Sequence, residues 1–173
     1  MNAYVFGYGS LVAEGEGCHV ATLHGRRRVW GVAMDNTVDL PGYKSYRLRS
    51  DGSRPAVFVA FLDLVADPAC SVTGICLPVD APRLAELDDR ERNYVRADVT
   101  QLIGGARGKV WAYTGSDEGM TRLREGVGAG SAVVSRDYRD AVLAAIAAIA
   151  PDEVAAVEPS PPVLDLERID LPY

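Results

Sequence analysis

The amino-acid sequence predicts an α+β protein in which flanking helices pack on a small mixed β-barrel or a similarly curved mixed sheet. Strand-like segments dominate the first two thirds of the chain, helical patterns are fewer, and the two do not alternate as a doubly wound parallel sheet requires. The length of 173 residues and the hydrophobic fraction of 48% are typical of one globular domain. We therefore expect a single domain over residues 1–173, with an extended, proline-punctuated tail from about residue 159.

Segments rich in β-branched and aromatic residues predict the strands. The first covers residues 3–6 and delivers a glycine-punctuated loop. Residues 35–55 are rich in Asp, Gly, Ser and Pro and predict a long loop of the kind that often borders a site. Further strands are expected at residues 20–34 with a bend, at 46–48 within the long loop, and at 56–65, 72–79, 95–103 and 109–113.

Three segments predict helices. Residues 82–93 and 136–150 have helical patterns, and a short piece is expected at 120–125. Ser135 is placed to cap the last helix and Pro151 to stop it. Earlier in the chain, Arg26, Arg27 and Arg28 suggest either an anion site or an exposed strand edge, and we expect the edge.

The composition excludes several classes of function. A formal net charge of −6 argues against nucleic-acid partners, because phosphate binding needs a basic surface. Cys18, Cys70 and Cys76 form an odd set without a CxxC pair, which favours a reducing compartment, and the first residues lack a signal-peptide pattern. Residues 141–150 are about half as long as the roughly 20 apolar residues that cross a bilayer. We expect a cytoplasmic protein without a membrane anchor.

The loop Gly7-Tyr8-Gly9-Ser10 does not fit a nucleotide-binding motif, because the third glycine of a dinucleotide fingerprint and the lysine of a P-loop are missing. Cys18, His19 and His24 lack zinc-like spacing, so neither a metal nor a cofactor is expected. Glycines do allow successive backbone N–H groups to approach a carboxylate or an oxyanion. A plain tight turn after a core strand is the alternative, and the spacing alone leaves both open.

Glu91 is the candidate general acid or base. Leu84, Leu87 and Glu91 fall on one stripe of the predicted helix, so the carboxylate faces inward among apolar neighbours. The alternative is a structural glutamate paired with an arginine such as Arg90 or Arg96, and helix phase does not decide between them. Asp88 and Asp89, at the edge of the stripe or outside it, are expected to be solvated or capping groups.

Four segments together resemble the γ-glutamylcyclotransferase superfamily in order and spacing. They are YVFGYGSL near the start, LDDRERNYV at residues 87–95, KVWAY at 109–113 and SRDY at 135–138. The FGYGSL spelling and the Arg90-Glu91 pair are similar to the ChaC-type branch. The short chain and Tyr94-Val95 also fit the AIG2-like branch, which includes γ-glutamylamine cyclotransferases. The resemblance covers about the first 140 residues and implies the superfamily's small mixed β-barrel with helices.

The resemblance also implies roles for individual residues. Glu91 matches the catalytic glutamate. Further matches are Tyr8, Gly9, Ser10 and Leu11 in the substrate-binding loop, and Tyr94, Tyr113 and Tyr138 at positions that line or support the pocket. Each of these three tyrosines could equally be a core residue with one satisfied hydroxyl. One departure concerns Tyr138, because a proline often precedes the serine of this late segment and Val134 stands there instead.

The reaction implied by the resemblance is an attack of the substrate's own α-amine on its γ-carbonyl carbon. It releases 5-oxoproline and a free amine from a small-molecule γ-glutamyl compound such as glutathione, and it needs no cofactor. Two other classes stay open: a non-catalytic member that binds a γ-glutamyl metabolite or a protein, and an amide hydrolase or transferase on the same scaffold. The motifs specify neither the leaving amine nor the oligomeric state.

Overall fold

The computed structural model describes residues 2–15, 17–157 and 161–173, and it confirms the predicted α+β class. Three α-helices are described: α1 (Ala81–Arg90), α2 (Asp117–Gly128) and α3 (Arg136–Ile149). Short 3₁₀ helices cover Ser10–Glu14, Thr100–Leu102 and Pro151–Val157. The strands are β1 (Ala3–Gly7), β2 (His19–Asp35), β3 (Lys44–Leu48), β4 (Phe58–Val79), β5 (Tyr94–Asp98), β6 (Lys109–Gly115), β7 (Ala132–Ser135), β8 (Val163–Leu164) and β9 (Leu166–Asp170).

The central sheet is mixed and is organised around β4. Its strand order is β5-β6-β1-β4-β7-β8, and β2 also pairs with β4. Strand β4 is antiparallel to β1 and β2 and parallel to β7, whereas β1 is parallel to β6. These pairings establish the mixed sheet, and its closure into a barrel stays a prediction.

Two strands are longer than the sequence pattern predicts. The segments expected at residues 56–65 and 72–79 are parts of one continuous strand, β4, which runs for 22 residues. Its partner β2 is likewise continuous for 17 residues, with register shifts between His24 and Arg26 and between Trp30 and Val32. Bulges of this kind bend a strand without ending it, which is why a predicted bend became part of an uninterrupted strand.

Helix α1 packs on the start of the chain. Asp80 caps it, because its carboxylate accepts a hydrogen bond of 2.9 Å from the Arg83 N–H. Leu87 is fully buried in one cluster with Val5, Leu11 and Tyr113. The helix ends at Arg90, earlier than the predicted residue 93, so Glu91 follows the helix as its C-cap instead of lying on its face.

The C-terminal segment is built into the sheets. Strand β8 pairs with β7, and β9 pairs with β3 in a separate two-stranded antiparallel sheet in which Leu48 opposes the fully buried Leu166. Within residues 161–173, both strands are therefore paired with earlier strands of the chain. The predicted start of this tail, Pro159, lies outside the described residues. Across the part of the chain that is described, the helices are too short or too polar to traverse a bilayer.

Candidate active site

A small cavity of about 30 Å³ lies where β1 ends and α1 ends. All eight residues singled out from the sequence line it, together with Phe6 and Leu62 from the central strands. The eight are Tyr8, Gly9, Ser10, Leu11, Glu91, Tyr94, Tyr113 and Tyr138. Segments as far apart as the first strand and the third helix therefore meet around one space.

The cavity is lined on one side by residues 8–11, which we call the 8–11 loop. The buried strand β1 ends at Gly7, and a 3₁₀ helix starts at Ser10, closed by a 3.0 Å hydrogen bond from the Val12 N–H to the Gly9 oxygen. The N–H groups of Ser10 and Leu11, in the first turn, have no acceptor within that helix. A Cβ atom built on Gly9 would lie 3.5 Å from the Tyr138 hydroxyl oxygen, an ordinary van der Waals distance, so the loop and Tyr138 lie close together at the cavity.

The buried side chain of Arg28 is hydrogen-bonded to the 8–11 loop. Its side chain is 4% exposed, and its Nε donates a hydrogen bond of 2.7 Å to the main-chain oxygen of Tyr8. The same guanidinium donates to Glu153 Oε2 at 2.6 Å and to the main-chain oxygen of Thr73. The expected exposed edge is therefore wrong for Arg28, although it describes Arg27, whose side chain is 54% exposed.

Glu91 reaches the cavity from the end of α1, and its side chain is 18% exposed. Its Oε1 lies 3.1 Å from Arg90 Nε, and Arg90 Nη1 lies 2.9 Å from Glu14 Oε1 in the first 3₁₀ helix. Arg90 thus joins Glu91 to the segment that follows the 8–11 loop. The pairing with Arg90 that the sequence left open is present, whereas Arg96 pairs with Asp88.

Four tyrosines form the walls, and their hydroxyl groups are positioned by the surrounding protein. Tyr8 donates to the Tyr113 main-chain oxygen at 2.6 Å, and Tyr94 donates to the Leu62 main-chain oxygen at 2.7 Å. Tyr113 donates to Asp88 Oδ1 at 2.7 Å. Asp88 is solvent-exposed as expected, with its side chain 41% exposed, and it also positions a tyrosine of the cavity. Each hydroxyl oxygen keeps lone pairs that can accept a further hydrogen bond.

Burial is the first cause that raises the pKa of these phenols above the usual range. In Tyr8 and Tyr94, whose pKa values are raised most, the nearby negative charges of Asp63 and Glu91 add to the effect of burial. In Tyr113 the hydrogen bond to Asp88 adds to it, and in Tyr138 the charge of Glu91 does so. All four hydroxyls are therefore protonated and uncharged at neutral pH.

A second, larger cleft of about 420 Å³ adjoins the cavity, and no sequence pattern other than the long loop predicted it. It shares Ser10, Glu91, Tyr94 and Tyr138 with the cavity. The antiparallel pairing of β3 with β9 supplies its outer wall. The other lining residues are Glu14, Gly42, Tyr43, Lys44, Phe61, Arg90, Asn93, Arg168 and Asp170.

The side chains on the described part of the chain do not form a group of three or more His, Cys, Asp or Glu that could hold a metal ion. The two adjoining spaces offer backbone N–H groups, neutral phenols, the Glu91 carboxylate at their junction and several cations. The other carboxylates of the cleft, those of Glu14 and Asp170, are paired with arginines. This set can bind anions and exchange a proton with a bound molecule.

Solved structures with the same fold support this architecture. A γ-glutamyl cyclotransferase matches with a TM-score of 0.55 and 12% identity, over 92% of this chain and 90% of its own. An uncharacterized protein from Homo sapiens matches with 0.55 and 15%, over 92% and 89%. YkqA from Bacillus subtilis matches with 0.58 and 14%, over 90% of this chain and 52% of its own.

Comparison of the sequence with known proteins and protein families identifies one family. None of the curated proteins matches the sequence. The profile of the family described as γ-glutamyl cyclotransferase, AIG2-like, matches residues 5–139, which include the 8–11 loop, Glu91 and the three later tyrosines. On this match, the chain belongs to the AIG2-like γ-glutamyl cyclotransferase family.

Proposed function

We propose that this protein is a γ-glutamyl cyclotransferase that converts a γ-glutamyl amide or peptide to 5-oxoproline and a free amine. The observation that carries the proposal is the meeting of Glu91 and the 8–11 loop around one cavity, although Glu91 lies 80 positions after Leu11 in the sequence. The family match supports the same reaction class.

In this reaction the nucleophile belongs to the substrate. The α-amine forms a bond to the γ-carbonyl carbon, the bond from that carbon to the leaving nitrogen breaks, and the leaving nitrogen gains a proton. An intramolecular attack of this kind is accelerated by holding the chain in a cyclised geometry. A cavity walled by Tyr8, Tyr94, Tyr113 and Tyr138 fits that task, because their rings pack in the hydrophobic core and their hydroxyl groups are hydrogen-bonded to the surrounding protein.

Glu91 is the proposed proton carrier. Its carboxylate would take a proton from the α-ammonium group, which frees the lone pair for attack, and would return a proton to the leaving nitrogen. The Arg90 guanidinium fixes one oxygen of Glu91 at 3.1 Å, which would leave the other oxygen to face the substrate.

The 8–11 loop is the proposed anion cradle. The N–H groups of Ser10 and Leu11, in the first turn of the 3₁₀ helix, would hold the substrate's α-carboxylate or the oxyanion that develops on the γ-carbonyl oxygen. Arg28 would stabilise this arrangement through its hydrogen bond to the Tyr8 main-chain oxygen. A loop that is held in shape before the substrate binds needs no reorganisation during the reaction.

The test is mass spectrometry of products from the purified protein and a panel of γ-glutamyl compounds. The panel includes glutathione, γ-glutamyl-alanine and γ-glutamyl-ε-lysine, and the Glu91→Gln variant is assayed alongside. We expect 5-oxoproline from the wild type and much less from the variant. Free glutamate in place of 5-oxoproline would indicate an amide hydrolase and would overturn the proposal.

The contact between Arg90 and Glu91 favours a second candidate function. A glutamate held at 3.1 Å by an arginine can serve a purely structural role, and the protein would then bind a γ-glutamyl compound without turnover. Saturable binding of members of the panel, with neither 5-oxoproline nor glutamate formed, would favour this candidate.

A further inference from the structure

The cleft next to the cavity contains one cation that differs from the others. Arg90 is paired with Glu14 and Glu91, and Arg168 is paired with Asp170 at 2.7 Å. Among the residues that the structure describes, the Lys44 side chain forms neither an ion pair nor a hydrogen bond, and its Nζ lies over the rings of Tyr43 and Phe61. A partly buried ammonium group without a polar partner is available to an anionic ligand.

Lys44 is close to the proposed reaction centre. Its Nζ lies 4.2 Å from the centre of the Phe61 ring, and the Phe61 ring lies 5.1 Å from the Tyr138 ring in an edge-to-face arrangement. Tyr138 lines both the cavity and the cleft. Lys44 therefore lies one aromatic ring beyond the cavity wall, in the cleft that adjoins the cavity.

The fold directs Lys44 into this space. Lys44 opposes Asp170 in the β3–β9 pairing, and Tyr46, two residues further on the same face of β3, is buried at 3% exposure. Side chains two residues apart in a strand point to the same face, so Lys44 faces inward with Tyr46. The ammonium group makes cation–π contacts with the rings of Tyr43 and Phe61, and these contacts leave its N–H groups available as hydrogen-bond donors.

We propose that Lys44 binds a carboxylate on the leaving amine, so that the preferred substrates are γ-glutamyl amino acids or peptides and not γ-glutamyl derivatives of simple amines or polyamines. The inference rests on the proposed function, because it assigns the two parts of the substrate to the two adjoining spaces. The γ-glutamyl part lies against the 8–11 loop and Glu91, and the amino-acid part extends across Phe61 to Lys44. The carboxylates that line the cleft, Glu14, Glu91 and Asp170, are already paired with arginines, so a polyamine would bring its positive charge beside the unpaired Lys44, which opposes its binding.

The test compares two ligands of similar size that differ in one carboxylate: γ-glutamyl-alanine and γ-glutamyl-ethylamide. Dissociation constants are measured by titration calorimetry in the Glu91→Gln background, where turnover is suppressed. We expect γ-glutamyl-alanine to bind about 10-fold to 100-fold more tightly, as for a hydrogen bond between two charged groups, and Lys44→Gln to bring this ratio close to one.

The matched control is Lys109→Gln, which removes the only other lysine of the chain. Lys109 also lies over an aromatic ring, 5.0 Å from the centre of Trp111, but it pairs with Asp98 and does not line the cleft. This variant should keep the full ratio. Lys44→Arg, which keeps the positive charge, should restore much of it.

The outcomes separate this inference from the proposed function. Equal binding of the two ligands by the Lys44-containing protein, or a ratio that survives Lys44→Gln, would overturn the assignment to the leaving group. Equal weakening of both ligands by Lys44→Gln would also overturn it, since Lys44 would then bind the α-carboxylate that both ligands share. Failure of the proposed function has a different signature: the binding ratio is present, and the wild type forms no 5-oxoproline from either ligand.

Discussion

Arg28 and Tyr8 are joined by a hydrogen bond of 2.7 Å from the guanidinium Nε to the main-chain oxygen, which ties β2 to the 8–11 loop. Glu153 neutralises the guanidinium from the opposite end of the chain, and it also accepts hydrogen bonds from the Thr73 N–H and hydroxyl groups. One buried cation thus connects the proposed anion cradle with β4 and the last 3₁₀ helix.

Replacing Arg28 by methionine should lower the free energy of unfolding by about 3–5 kcal/mol, because the partly buried Glu153 carboxylate loses its partner. Urea denaturation followed by tryptophan fluorescence measures the change. Arg27→Met is the neighbouring control: Arg27 pairs with Asp67 at the surface, and its loss should cost less than about 1 kcal/mol. Equal destabilisation by the two substitutions would contradict the structural role assigned to Arg28.

The second prediction concerns Glu91. Glu91→Gln should lower the rate of 5-oxoproline formation by about 10²-fold or more, because glutamine cannot transfer the proton. Glu86→Gln is the control on the same helix, where the glutamate is 66% exposed and pairs with Arg83. It should leave the rate near that of the wild type. Near-normal turnover in the folded Glu91→Gln variant would remove Glu91 from the mechanism.

Asp63 allows a test of how the burial of a carboxyl group changes the pH dependence of the free energy of unfolding. Its side chain is 2% exposed, and its Oδ1 accepts hydrogen bonds of 2.7 Å from the N–H groups of Leu64 and Gly115. Burial raises the pKa of this carboxyl group above its usual value in spite of those two hydrogen bonds. The folded state therefore holds the proton more tightly than the unfolded state does, and protonation of Asp63 favours folding.

The direction in which stability changes with pH follows from the higher pKa of Asp63 in the folded state. The contribution of Asp63 to stability is largest below its unfolded pKa and falls as pH rises through the folded pKa. Asp63→Asn keeps an oxygen acceptor but does not titrate. The free energy of unfolding of the variant, relative to the wild type, should be greater at pH 7 than at about pH 4, near the usual aspartate pKa. A difference that does not change over this range would contradict the raised pKa.

The carboxylate preference assigned to Lys44 should depend on pH. Burial, and then the charge of Arg168, lower the pKa of Lys44 to about 8, with Arg90 acting in the same direction and Glu91 and Asp170 opposing. The ammonium form binds a carboxylate and the neutral amine does not. The ratio of the dissociation constants of γ-glutamyl-ethylamide and γ-glutamyl-alanine should therefore be largest below about pH 8 and fall above it.

Calorimetry over this range in the Glu91→Gln background checks the pH prediction. The α-amine of the γ-glutamyl group titrates in both ligands, so its contribution cancels in the ratio. Lys44→Arg provides the control, since a guanidinium stays protonated throughout and the ratio should then be flat. A ratio that falls equally in both proteins would assign the titration to a group other than Lys44.

The parts of the fold that the sequence predicts correctly are those with local patterns. Strand β1, the loop after it and a helix leading to Glu91 follow from a short β-rich run, two glycines and a stripe of leucines. The continuous course of β4 could not be predicted, because Asp67 and Pro68 are typical of a turn, and the pairing with β2 that keeps the strand intact comes from distant residues. Strand β7 was missed because its few residues follow a glycine-rich segment.

The same distinction applies to the site. All residues around the cavity except Leu62 lie in the four segments on which the family resemblance rests, so the resemblance predicts that they belong to one site. Arg28, Asp63 and Lys44 belong to no such motif, and each acquires its environment from tertiary contacts. For Lys44 those contacts depend on pairing between β3 and β9, which lie more than a hundred residues apart in the chain. No local pattern records such a pairing.

Strand β9 has a consequence for how this protein could diversify. Its residues, Leu166–Asp170, lie beyond residues 5–139 that the family profile matches, yet they supply Arg168 and Asp170 to the cleft and hold β3 in place. Under the proposed function, the residues of the cavity lie within the matched stretch, whereas the leaving-group cleft combines Lys44 from that stretch with Arg168 and Asp170 from β9. Directed evolution restricted to β9 could then alter substrate range while the residues proposed for the reaction stay unchanged.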